Sequence, residues 1–151
     1  MRLDTTTLDT RLADDPLQFN PATATSLVRL MLGGLPAGSF ATPLYARFRY
    51  FDPVNRRAGI PADVAALVTR LGGNRSDLVL VNISQTEPRE VIVQGGAYGE
   101  HDLKQVTWND QRVPVTGKCF RVKLQPGCGA TLTVEHQCYA NAPTLKHPWD
   151  E

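Results

Sequence analysis

The sequence predicts a mainly β protein: an antiparallel β-sandwich, jelly-roll or immunoglobulin-like, with two short helices near the N-terminus. Three observations carry this expectation. Short apolar, β-branched runs follow one another at 78–82, 89–94, 119–124 and 130–136. Turn-forming residues separate them: Gly95 and Gly96, Asn109 and Asp110, Pro126 and Gly127. Within the later runs inward candidates alternate with polar residues, as in Phe120, Val122, Leu124 and again Leu132, Val134. Short strands spaced by such turns are the pattern of a sandwich or barrel.

Taken in order, the chain divides into an arm and helix at 1–42, a sandwich at 43–138 and an extended tail at 139–151. The first 20 residues are polar and broken by Pro16. A helix is expected over 21–32, with Asn20 as its N-cap and Pro21 in its first position. Ala24, Leu27, Val28 and Met31 then share one face, and Gly33 and Gly34 end it. The run 44–51 reads as a half-buried strand, Arg47 and Arg49 facing one way, Phe48 and Tyr50 the other. A second helix is expected over 61–71, presenting Val64, Leu67, Val68 and Leu71 and stopped by Gly72 and Gly73. The last two runs read as a hairpin turning at Gly127 and Cys128, which sets Phe120, Val122 and Leu124 opposite His136, Val134 and Leu132. Cys119 and Cys138 are then not a direct cross-strand pair. Trp149 is expected to dock the tail, because a free tail rarely carries an exposed tryptophan.

Composition bounds the function. Sixteen basic against fifteen acidic side chains leave a net charge of +1, so no electrostatic footprint for nucleic acid stands out. No apolar run approaches the ~20 residues of a spanning helix, so no membrane role is expected. The start lacks the apolar core of a secretory signal, and three cysteines are an odd count. Both favour a cytoplasmic protein with reduced thiols.

Several stretches carry a resemblance. Leu78-Val79-Leu80-Val81-Asn82, Trp108-Asn109-Asp110-Gln111 leading to Val113-Pro114-Val115, and Leu124-Gln125-Pro126-Gly127 with Leu132 resemble C-terminal β-sandwich regions of larger glycoside-hydrolase-like bacterial proteins. The stretch 81–89 together with 96–101 is similar to the C-terminal part of longer, uncharacterised bacterial proteins. The resemblance rests on turn and core positions and implies an accessory or structural sandwich. It brings no glycosidase catalytic residue with it.

Among chemical motifs, the nucleophile elbow, the glycine-rich phosphate loop, the zincin helix and the EF-hand loop are all missing. The best polar cluster is Tyr98-Gly99-Glu100-His101-Asp102. In a strand entry, Glu100 and Asp102 project to one side and His101 to the other. Two carboxylates on one side suit calcium, with Asn109, Asp110 or a backbone carbonyl completing the shell, or else an acid/base pair of Glu100 and Asp102; Glu100, His101 and Asp102 are the candidate catalytic residues. The plainer account is a solvated strand start. His136 shares the face of Leu132 and Val134 and reads as a core-edge histidine, or else as a base met by a polar group of another strand. Cys128 reads as a turn residue, for want of a partner to activate it. Tyr98, Trp108, Arg47 and Arg49 are candidates for contacting a carbohydrate or small molecule.

Three functions follow in order of expectation. The first is a non-catalytic accessory module that contacts carbohydrate. The second is a calcium-assisted hydrolase of esters or lactones such as acyl-homoserine lactones, or of glycosidic bonds. The third is an assembly module, including a homo-oligomer, that pairs through a strand edge.

Overall fold

The computed structural model describes residues 24–34 and 45–150. One helix, α1 (Thr25–Leu32), precedes nine strands: β1 (Phe48–Asp52), β2 (Arg57–Ala58), β3 (Val64–Leu71), β4 (Arg75–Asn82), β5 (Arg89–Gly95), β6 (Asp102–Trp108), β7 (Gln111–Gly117), β8 (Cys119–Leu124) and β9 (Gly129–Gln137). They form two antiparallel sheets, ordered β2-β1-β5-β8 and β3-β4-β9-β6-β7. A single hydrophobic cluster draws on both: Phe48, Tyr50, Val91 and Val93 from the first, Leu78, Leu80, Leu103, Leu132 and Val134 from the second. Inward side chains at every second position account for this, since each strand must bury one face.

The helix ends where its glycines predict, with Gly33 in the left-handed conformation at φ 63°. Its face is narrower than expected. Met31 and Leu32 pack on the core, whereas Leu27 stays exposed. The expected cap Asn20 and first-turn Pro21, like the arm before them, lie outside the described residues. Tyr50 fastens the helix to the sheet by donating its hydroxyl to the Met31 carbonyl at 2.7 Å.

Two expectations are overturned. The stretch 61–71 is not a second helix; it contains the edge strand β3, paired along its length with β4. Its sequence fits both periods, helical through Val64, Leu67, Val68 and Leu71, extended through Val64, Ala66 and Val68. Backbone pairing with β4 decides it, leaving Leu67 and Leu71 40% and 54% exposed on the outer face. Nor do β8 and β9 form a hairpin. β8 pairs with β5, while β9 lies between β4 and β6. The segment from Gln125 to Cys128 therefore crosses between the sheets. Asn82, fully buried at the end of β4, holds that crossing. Its side-chain amide donates to the carbonyls of Glu87, Leu124 and Gln125, and its backbone N–H donates to the Cys128 carbonyl.

The Asn109–Asp110 turn is as expected. Both residues have positive φ, 47° and 62°, and Trp108 faces Gln111 across a two-residue loop. The tail runs over the 96–100 loop, where Asn141 donates to the Glu100 carbonyl and Thr144 to that of Tyr98. It closes on Phe51, against which Trp149 and His147 stand edge-on with ring centroids 5.8 and 6.0 Å away.

Candidate functional site

The loop after β5 contains the strongest polar cluster of the sequence, and the fold takes that cluster apart. Gly96 and Gly99, at φ 85° and 73°, bend the chain so that Glu100 folds back over Gly96. Its carboxylate accepts the N–H groups of Ala97 at 3.1 Å and Tyr98 at 2.7 Å. A Cβ on Gly96 would lie 2.3 Å from the Glu100 carboxyl carbon, so the staple needs glycine there. Asp102 pairs instead with Lys104. Asp110 sits in the turn at the far end of β6, roughly 20 Å along the strand. The expected calcium set of Glu100, Asp102 and Asp110 is therefore not assembled. Among the described residues, no group of three or more His, Cys, Asp or Glu side chains could hold a metal ion. Glu100 and Asp102 are likewise held by different partners, the one by two backbone N–H groups of its loop and the other by Lys104.

His101 goes inward and is fully buried. Its Nδ1 accepts the Tyr139 N–H at 3.2 Å, and its ring stacks at 6.4 Å on His136. His136 points in from β9 beside Leu132 and Val134, its Nε2 3.0 Å from the Ser76 hydroxyl of β4. Its Nδ1 is 3.7 Å from Cys138 Sγ, which also bonds the Gly73 carbonyl at 3.2 Å. Arg47 completes the group. It is only 7% exposed, and Nη1 donates to Cys138 Sγ. Its backbone joins three elements, taking its N–H to the Leu32 carbonyl and accepting from Gly96. The guanidinium Nε is buried with no hydrogen-bond partner among the described residues.

This cluster holds one permanent cation, two imidazoles and one thiol. Burial is the main force lowering both histidines below their ordinary range, with the Arg47 charge acting in the same direction. His136 falls to about 4. Both rings are thus neutral near pH 7, and among the described residues the permanent charge that meets the thiol is Arg47, through Nη1. The sequence pointed to His136 and His101 separately. What it did not reveal is the convergence of Arg47, Ser76 and Cys138, which come from three elements as much as 91 residues apart.

The four expected binding residues do not share a surface. Arg49 donates to the Ala97 carbonyl at 3.0 Å and lies over the Phe51 ring, and Tyr98 belongs to the adjacent loop. Arg47 is buried. Trp108 stands at the other end of β6, 47% exposed. There it borders a cleft of about 440 Å³ that opens between β7 and β8, edge strands of their respective sheets. Val113, Val115, Phe120, Val122 and Leu132 line it, with Lys123, Arg121 and Cys128 also at its walls. Arg121 shares its charge with Glu90 at 2.9 Å.

No family model matches the chain, and no curated protein or solved structure matches it either.

Proposed function

We propose that this chain is a non-catalytic, accessory β-sandwich module that binds a small amphiphile, aliphatic at one end and anionic at the other, in the cleft between β7 and β8. The observation that carries the reading is the apolar cleft itself. Its volume of about 440 Å³ lies within the roughly 300–1,000 Å³ of small-molecule sites, which are typically apolar with a few polar groups. Apolar residues of two edge strands would contact the aliphatic part, and Lys123 at the wall would meet the anionic end. The non-catalytic character is supported by the carboxylates, since Glu100 and Asp102 are committed to holding the loop and an ion pair.

Trp108 reports on the cleft directly. In a Trp149→Phe variant it is the sole tryptophan, so its emission can be followed as decanoate is added. A saturable blue shift is expected, weaker with a non-ionic amphiphile of the same tail and lost in Val115→Gln. No response to decanoate would overturn the cleft reading. A response to maltooligosaccharides instead would favour the carbohydrate-contacting version, with Trp108 as a stacking platform.

A further inference from the structure

We infer that the cleft between β7 and β8 is closed at one end and selects its ligand by length: a single aliphatic tail enters with its methyl end toward Phe120 and leaves its carboxylate at the mouth beside Lys123. This rests on the amphiphile reading above and adds to it a direction and a limit. The closed end comes from the chain itself. β7 stops at Gly117 and β8 starts at Cys119, so Lys118 alone joins the two edges there. The Lys118 carbonyl accepts the Gly95 N–H at 2.8 Å, which ties the junction to the end of β5. The sheets therefore converge, and the cleft stops at Val115 and Phe120, both half-buried and packed against the core. At the opposite end the second sheet contributes Trp108 and the first Lys123, with Gln125 of the crossing segment, all exposed.

Charge fixes the direction. Of the two cations at the wall, Arg121 is engaged by Glu90, the residue opposite Lys123 in the strand register. Lys123 is in no ion pair among the described residues, so its ammonium is left for a carboxylate. At the floor, Phe120 and Val115 offer nothing polar to a charged group, and burying a charge there without a partner is costly. The strand fixes the length. Leu124 lies four residues beyond Phe120 on β8, roughly 13 Å at about 3.3 Å each. A zigzag alkyl chain with bonds of about 1.5 Å advances about 1.3 Å per carbon, so a tail of about ten carbons reaches from mouth to floor.

The Trp108 emission of the Trp149→Phe chain would be titrated with straight-chain carboxylates from hexanoate to tetradecanoate. Affinity is expected to rise about fourfold for each added methylene, the equivalent of ~0.8 kcal/mol per buried CH₂, and to level off near decanoate. Decanedioate, which would press a second carboxylate against Phe120, should bind at least about tenfold more weakly than decanoate. Phe120→Ala should move the break to longer chains, and Val115→Phe, which fills the same end from the other edge, to shorter ones. Lys123→Gln should weaken every chain alike and leave the break in place. A rise that continues through tetradecanoate, a break unmoved by both floor variants, or decanedioate binding as tightly as decanoate would overturn the closed end while the cleft reading stands. Should a floor variant fail to fold, the decanedioate comparison in the Trp149→Phe chain still decides. No response to any chain would instead remove the cleft reading, and this inference with it.

Discussion

The two ends of β6 are opposites. At its start, the loop 96–101, Arg47, His136 and Cys138 gather polar groups into the interior and bond nearly all of them. At its finish, Trp108, Val113 and Phe120 surround a cleft that is apolar and open. The first end is expensive to bury and therefore depends on exact partners. The second depends on shape and has apolar surface to spare, which is what a ligand site requires. Damage should therefore be large and geometric at the polar end, and modest at the cleft.

The sharpest break is Gly96→Ala. The new methyl collides with the Glu100 carboxylate, and φ 85° is itself strained for alanine. Loss of the staple plus backbone strain should cost on the order of 3 kcal/mol in urea unfolding. A cost under 1 kcal/mol would mean that the loop does not rely on Glu100.

Asn82→Ala tests a polar anchor near the apolar end. It removes the donor to three carbonyls around the crossing from β8 to β9. A loss of about 2 kcal/mol is expected from calorimetric unfolding. Decanoate binding should weaken in parallel, because Leu124, Gln125 and Cys128 border the cleft.

These two residues also mark how far the sequence could be read. The strands at 78–82 and 89–94 were legible because apolar, β-branched runs bounded by turn residues have few other uses. The turn at Asn109 and Asp110 was legible because its geometry is local. Strand partnership was not. Alternation tells that Phe120, Val122, Leu132 and Val134 face inward, and they do, but it is silent on whether β8 and β9 pair with each other or cross between sheets. That choice depends on Asn82 meeting carbonyls 42 and 43 residues further on. For β3, two periods fitted the same residues and only the presence of β4 separated them. The polar site was half visible: His136 was placed on the core face correctly, while Arg47 looked like a surface arginine because its neighbours in space are remote in sequence.

A graded effect should come from pH. His136 has its ordinary value of 6.5 when unfolded and about 4 when folded, and His101 is shifted in the same direction. Above pH 6.5 neither state binds these protons, and the full stability is present. As pH falls, the unfolded chain protonates first, so stability declines through the window from 6.5 to about 4. The slope is at most about 1.4 kcal/mol per pH unit for each imidazole. Urea midpoints measured across that range should flatten in His136→Gln. An equally steep decline in that variant would assign the effect to other groups.

The smallest effect separates two carboxylates that the sequence presents as a pair. Asp102 meets Lys104 near the surface, and such pairs contribute roughly 0.2–1 kcal/mol. Asp102→Asn should therefore shift stability by no more than about 0.5 kcal/mol, and less in high salt as the pair is screened. Glu100→Gln places an amide NH₂ against a backbone N–H that needs an acceptor. It should cost about 2 kcal/mol, with little dependence on salt. Two residues apart, the carboxylates differ in what each one faces: Glu100 caps buried amides, while Asp102 balances one solvent-exposed ammonium. Equal effects, or a stabilising response of either to calcium in a melting experiment, would return them to a shared role.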